Sequence, residues 1–171
     1  MTVWLLFLLY LAAEAAIVHY VARLDVLDAR IAYGPAQAIA LFEALDASSR
    51  AAYRVFNFID FAFIPLYSAL LVTWFRFLDT DADADMPGWP WLGLLPGVFD
   101  VVETAGVALL LRSEHPAQSP GLWLAVVGTP LKWLGTARVL SLLVLAEIRG
   151  LRKRRLEGRP WFDPSPSDDG S

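Results

Sequence analysis

The amino-acid sequence predicts an all-α protein, in which four transmembrane helices form a bundle and one short amphipathic helix lies at the membrane interface. Hydrophobic residues make up 57% of the 171 residues, which is above the usual fraction for a soluble domain. Four apolar stretches are each long enough to cross a bilayer, which requires about 20 helical residues. Every stretch also carries ionisable residues near its middle, and at membrane depth such residues must face one another, water or a ligand.

The predicted spans are about 2–22, 55–75, 91–111 and 122–148. The first is predicted to be retained rather than cleaved as a signal sequence, because no basic segment precedes it and its apolar run is long. Between the first two spans, Gly34 and Pro35 are typical of a helix start. The apolar periodicity that follows predicts an interfacial helix over about 35–46. Ser48 or Ser49 is predicted to cap the helix after it.

Residues 1–148 are predicted to form the membrane domain, and residues 149–171 a tail that is first basic and then disordered. The basic run from Arg149 to Arg155 directly follows a predicted span. In that position it favours contact with anionic membrane lipids over nucleic acid, and it places the C-terminus in the cytoplasm. The sequence leaves the oligomeric state open.

Metal and cofactor chemistry is not indicated by the residue types present. The chain has no cysteine, which excludes disulfides, thiol catalysis and thiolate metal sites. Bundle di-iron proteins use Glu-x-x-His pairs, and the sequence contains none. Asp79, Asp81 and Asp83 imitate the start of a calcium loop, but Ala84 stands where that loop requires glycine. We therefore predict neither a metal nor a cofactor.

The charged residues inside the spans are predicted to lie at one depth. At 1.5 Å per residue from the middle of each span, Glu14, Asp60, Glu103 and Lys132 fall on the same side of the midplane, within roughly 10 Å of it. Asp100 is almost central. Each helix also places its polar residues along one stripe. The stripes comprise Tyr10 and Glu14; Tyr53, Asn57, Asp60 and Tyr67; Asp100 and Glu103; and Thr129, Lys132 and Thr136.

These positions predict a shared polar centre with acid–base capacity. Carboxyls crowded in a low dielectric do not all ionise, so one can donate a proton while its neighbour accepts one. We predict Asp60, Asp100, Glu103 and Lys132 as catalytic residues. The residues predicted to bind substrate are Glu14, Tyr53, Asn57, Tyr67, Thr129, Trp133 and Thr136. Arg138 lies about 120° around the helix from Lys132, and the sequence leaves open whether it joins the polar centre or makes a different contact.

The sequence resembles a group of uncharacterised small four-span membrane proteins over about residues 25–140. The residues that carry the resemblance are Phe42-Glu43-Ala44-Leu45, followed by Arg50, Tyr53, Asp60 and Tyr67, and Phe99-Asp100-Val101-Val102-Glu103, followed by Thr129, Lys132 and Trp133. The resemblance implies a four-helix topology and no particular activity. A separate analogy of chemistry alone is to membrane-bound terpene cyclases, which protonate isoprenoids with intramembrane acids.

Three functional hypotheses follow from the polar centre. The first is an acid–base enzyme, similar to a cyclase or isomerase, that acts on a lipophilic or isoprenoid substrate. The second is a proton-coupled transporter or small-molecule binder, with Pro65 as a hinge in the second span. The third is a structural or partner-binding membrane module, in which a buried ion network fixes the order of the helices.

Overall fold

The computed structural model describes residues 8, 12, 26–27, 30–80 and 90–156. Within these ranges the chain is all-α, as predicted, and has no β-strand. The helices are α1 (Pro35–Ala44), α2 (Ala47–Thr80), α3 (Leu95–Arg112) and α4 (Gly121–Leu156), and short 3₁₀ turns cover Pro90–Leu94 and Pro116–Gln118. The predicted first span, including Glu14, lies outside the described residues apart from two isolated positions, and so do residues 81–89 and 157–171.

Two segments of the described chain are long and apolar enough to cross a membrane. They are Ala47–Leu78, which is most of α2, and Pro90–Arg112, which includes α3. α4 is longer than either segment, but charged residues such as Lys132, Arg138 and Glu147 interrupt its apolar sequence. By length and composition, the described residues therefore contain two candidate spans.

The helix α2 begins earlier than the predicted span, and the aspartate directly before it caps its N-terminus. The Asp46 carboxylate accepts hydrogen bonds from the Ser49 backbone N–H (2.6 Å) and the Ser48 hydroxyl (2.8 Å). Asp46 is therefore the cap, and the prediction that Ser48 or Ser49 caps the helix is wrong. The bond from the Ser49 N–H, followed by that from the Ser48 hydroxyl, lowers the pKa of Asp46, because both favour the ionised carboxylate. The helix then continues through Pro65 without a break.

The short helix α1 packs into the bundle. Its Ala38 and Phe42 are buried, and the Phe42 ring stacks on the Tyr53 ring of α2 with centroids 5.7 Å apart. α1 starts with Pro35, as predicted, and the Gly34 N–H in front of it donates to Gln37 Oε1 (2.9 Å). An amphipathic sequence thus places its apolar face against the other helices.

Two apolar clusters lie at opposite ends of the bundle. The first comprises Val26, Leu27, Tyr33, Ala38, Phe42, Tyr53, Phe56, Val107, Leu110, Leu111, Leu122 and Ala125. The second comprises Leu71, Trp74, Phe75, Leu78, Val139, Leu143 and Ala146. Along α4, the first cluster ends at Ala125 and the second begins at Val139. Lys132 and Arg138 of α4 therefore lie between the two clusters along this helix.

Small residues bring α3 and α4 into close contact, and this is the most extensive helix pair in the described chain. A Cβ atom at Gly128 would lie 2.8 Å from the backbone nitrogen of Glu103, and one at Gly106 would lie 2.5 Å from the backbone nitrogen of Ala125. Both separations are too short for a real side chain. Such small-residue contacts are typical of helices that associate in membranes, and here they place the backbones of Glu103 and Gly128 against each other.

Candidate functional site

Two carboxylates converge on one lysine between the apolar clusters. The Lys132 ammonium on α4 lies 2.8 Å from Asp100 Oδ1 and 2.6 Å from Glu103 Oε2, both on α3. The exposed fractions of the three side chains are 12%, 6% and 0%, in the same order. Asp100 and Glu103 share a face because they are three residues apart on a helix. The ion pairs are therefore enclosed by protein.

The second oxygen of Glu103 connects this group to Tyr33, in the segment before α1, through Thr129. Glu103 Oε1 is hydrogen-bonded to the Thr129 hydroxyl on α4. The Thr129 hydroxyl oxygen also lies 3.0 Å from the Tyr33 hydroxyl and 2.9 Å from the Ala125 carbonyl. Thr129 is fully buried. Both oxygens of the Glu103 carboxyl thus face polar groups, although no part of this residue is exposed.

The second oxygen of Asp100 connects the group to α2. The Tyr67 hydroxyl donates a hydrogen bond of 2.7 Å to Asp100 Oδ2. Tyr67 is half-buried, so this is a more open side of the group than the Glu103 side. We call these connected residues the carboxylate–lysine network; its members are Tyr33, Tyr67, Asp100, Glu103, Thr129 and Lys132.

Asp60 and Asn57 connect α2 to α3 through Thr104, the residue that follows Glu103. The Thr104 hydroxyl donates to Asp60 Oδ2 (3.1 Å), and Asn57 Nδ2 donates to the Thr104 carbonyl (3.1 Å). Asn57 and Thr104 are buried, whereas Asp60 is half-buried. The predicted site residues of α2 therefore contact α3 at two neighbouring places, Thr104 and Asp100.

Two other predicted site residues, Tyr53 and Trp133, form their hydrogen bonds with groups outside the ion pairs. The Tyr53 hydroxyl accepts the Leu27 N–H (2.9 Å) inside the first apolar cluster. Trp133 is 38% exposed, and its indole N–H donates to the Arg30 carbonyl (3.0 Å). Thr136 is half-buried. Arg138 is exposed on α4.

Sequence reasoning missed Thr104, Tyr33 and Gly128. Thr104 lies four residues after Asp100, and helical spacing could have shown that the two share a face. Gly128 is the position that lets α4 approach Glu103. Tyr33 lies outside the helices, where no periodicity signals its position.

Comparison of the chain with family models, with curated proteins and with solved structures finds no match. Among the described residues of the network, two carboxylates face one ammonium, which leaves one negative charge unmatched within this set. A buried charge is costly unless it is paired. A proton is the smallest group that restores neutrality. Among the residues described, no three His, Cys, Asp or Glu side chains are grouped so as to hold a metal ion.

Proposed function

We propose that this chain is a four-span integral membrane protein whose carboxylate–lysine network carries out acid–base chemistry on a lipophilic molecule, with isoprenoids as the leading class. The observation that carries the proposal is the convergence of Asp100 and Glu103 on the Lys132 ammonium, at 2.8 and 2.6 Å, in a buried position. The two candidate spans support a membrane location.

The network contains two carboxyl groups but one lysine, and this difference allows it to hold an exchangeable proton. Because Lys132 can neutralise only one of its two acidic neighbours, the pair shares one proton when the site is neutral overall. A carboxylic acid held in this way donates a proton to a substrate, and the neighbouring carboxylate accepts one or stabilises a cation. An isomerisation needs both steps, and the network contains both groups.

The more open side of the network gives the substrate a direction of approach. Glu103 is enclosed by α3 and α4, whereas Asp100 contacts the half-buried Tyr67 of α2. A lipophilic substrate therefore meets Asp100 and Tyr67 first, and Glu103 exchanges protons with Asp100 across Lys132. Asp60 lies on the same helix as Tyr67, about two turns earlier, and is the further acid on the substrate side.

The basic end of α4 supports an orientation. α4 ends at Leu156, after the cluster of basic residues from Arg149 to Arg155. Positive residues beside a membrane helix favour the cytoplasmic side. We therefore place the C-terminus in the cytoplasm.

Turnover by the reconstituted protein tests the proposed chemistry. Vesicles that contain the full chain are incubated with a total lipid extract and, separately, with a panel of isoprenoid alcohols. Chromatography coupled to mass spectrometry then detects isomers of unchanged mass. We expect Asp100→Asn and Glu103→Gln each to lower turnover by about 10²–10⁴-fold, the usual contribution of an acid or base. Arg138→Gln, at an exposed position on α4, is the matched control and should keep it.

Infrared spectroscopy gives a second readout that needs no substrate. The wild-type protein should show the stretching band of a protonated, buried carboxyl, and Asp100→Asn or Glu103→Gln should remove or shift it. If both variants retain full turnover, or if the wild type converts none of the probes, the catalytic proposal is wrong.

A structural role is the second candidate, and it is favoured by a different observation. All four carboxyl oxygens of Asp100 and Glu103 face a protein group within the network. Such an arrangement can fix the pairing of α3 with α4 without any reaction. In that case, simultaneous replacement of Asp100, Glu103 and Lys132 by apolar residues of similar size should leave cellular function intact.

A further inference from the structure

A groove on the outer face of α2 and α3 carries features of a lipid site. It has a volume of about 530 Å³, and its walls are mainly apolar. The lining residues are Arg54, Asn57, Phe58 and Phe61 of α2, and Thr104, Ala105, Ala108, Leu109, Leu111 and Arg112 of α3. Asp100, Glu103 and Lys132 are not among the lining residues, so an occupant would not need to contact the ion pairs.

The groove is lined by one stripe of residues on α2 and one on α3. Ala105 and Ala108 leave a depression on α3, and Phe58 and Phe61 rise beside it on α2. Phe58, Phe61 and Leu109 remain 74%, 49% and 38% exposed, which is a large apolar surface for three side chains. From Thr104 to Arg112 the groove runs about 12 Å along the helix axis, enough to hold a substantial part of an acyl chain.

One end of the groove is positively charged. Arg54 begins the α2 stripe and Arg112 ends the α3 stripe, and both side chains are exposed. Arg54 donates one hydrogen bond to the Leu111 carbonyl (3.1 Å). Because a guanidinium has five N–H donors, this bond does not exhaust its capacity to bind a phosphate. The acidic residue nearest in sequence to Arg112 is Glu114, and both residues line an adjoining depression.

We propose that this groove binds one anionic phospholipid, with an acyl chain along Phe58, Phe61 and Ala108 and the phosphate between Arg54 and Arg112. The apolar walls match the acyl chain, and the two guanidinium groups match a phosphate whose negative charge is not offset by a cationic headgroup. The position also fits a membrane, because Arg54 precedes and Arg112 follows the apolar parts of their helices. The proposal goes beyond the acid–base chemistry and does not depend on it.

Native mass spectrometry of the full chain in detergent tests the proposal. Phosphatidylglycerol is compared with phosphatidylcholine of the same acyl chains, and the ratio of the two bound lipids is measured. The wild type should prefer phosphatidylglycerol. Each arginine is expected to contribute about fivefold to this preference, so Arg54→Gln/Arg112→Gln should remove nearly all of it. Arg112→Gln alone should remove about fivefold and leaves the bond from Arg54 to Leu111 in place.

Two further variants separate the groove from general surface charge. Arg76→Gln/Arg138→Gln also removes two exposed positive charges but lies outside the groove, so it should keep the preference. Ala108→Trp fills the groove without changing any charge, so it should lower the retention of both lipids. Equal binding of the two lipids by the wild type, or unchanged retention by Ala108→Trp, would overturn the proposal.

A photo-crosslinking amino acid at position 108 identifies the occupant. Crosslinks to phospholipid in reconstituted vesicles support the proposal. Crosslinks to residues 1–25 of the same chain, or to a second copy, would show that protein covers the groove and would also overturn it.

Discussion

Removal of the Lys132 ammonium is the sharpest perturbation of the carboxylate–lysine network. Lys132→Met keeps an unbranched side chain but removes the charge that lies 2.8 and 2.6 Å from Asp100 and Glu103. Those carboxyls are only 6% and 0% exposed, so water cannot take the place of the ammonium. Loss of one partner from a buried ion pair costs about 3–5 kcal/mol. We expect Lys132→Met to lower the free energy of unfolding by that amount.

Equilibrium unfolding in mixed micelles, followed by far-ultraviolet circular dichroism, measures this loss. Adding Glu103→Gln to Lys132→Met should restore about 1–3 kcal/mol, because it removes one of the two buried acids that then lack the ammonium. Arg138→Met is the matched control on the exposed face of α4 and should stay within about 0.5 kcal/mol of the wild type. A loss of less than about 1 kcal/mol for Lys132→Met would refute the inference that the network is enclosed and mutually dependent.

Three further predictions concern the contacts around the network. Gly128→Leu should destabilise the protein by at least about 1–3 kcal/mol in the same unfolding assay, because its Cβ would lie 2.8 Å from the Glu103 backbone nitrogen; an unchanged midpoint would contradict the close α3–α4 contact. Tyr67→Phe should cost about 0.5–1.5 kcal/mol, because it removes the 2.7 Å hydrogen bond to the network, and it should also shift the infrared carboxyl bands; unmoved bands would argue against this bond. Asp46→Ala should speed hydrogen exchange in the first turn of α2, because its carboxylate accepts the Ser49 N–H. Since this bond lowers the pKa of Asp46 below 3.8, the protection should be complete above that pH and should disappear as the pH falls through the lower folded-state value; exchange in the wild type that matches Asp46→Ala at neutral pH would contradict the assigned cap.

The helices could be predicted because apolar length and charge position both depend on local sequence. The spacing of Asp100 and Glu103 put two carboxyls on one face, and the depth estimate put Lys132 at their level. The structure shows these three residues in contact. The start of α2 could not be placed as well, because Asp46 precedes the apolar stretch and acts through a backbone bond to Ser49.

A polar stripe fixes the direction of a side chain but not its partner. Tyr53 and Tyr67 lie on one stripe of α2, yet they are about 21 Å apart along the axis. Tyr67 therefore reaches Asp100, whereas Tyr53 packs on Phe42. The length of a stripe has to be compared with the size of a site before all its residues are assigned to one centre.

Contacts made by residues outside the helices carry no periodic signal. Tyr33 reaches Thr129 from a segment without helical structure, and only the tertiary fold brings the two together. Trp133 is adjacent to Lys132 in sequence but bonds to the Arg30 carbonyl, since neighbouring residues on a helix point about 100° apart. Adjacency in sequence was therefore a poor guide to a shared site.

Distances inside the network, measured in lipid bilayers, test the central claim most directly. Solid-state nuclear magnetic resonance with ¹⁵N at Lys132 Nζ and ¹³C at the carboxyls of Asp100 and Glu103 reports these separations in the full chain. The structure predicts strong dipolar coupling from the ammonium to both carboxyl carbons, because its nitrogen lies 2.8 and 2.6 Å from their oxygens. Coupling to neither carbon would contradict the convergence of the two acids on one lysine, and with it the proposed chemistry.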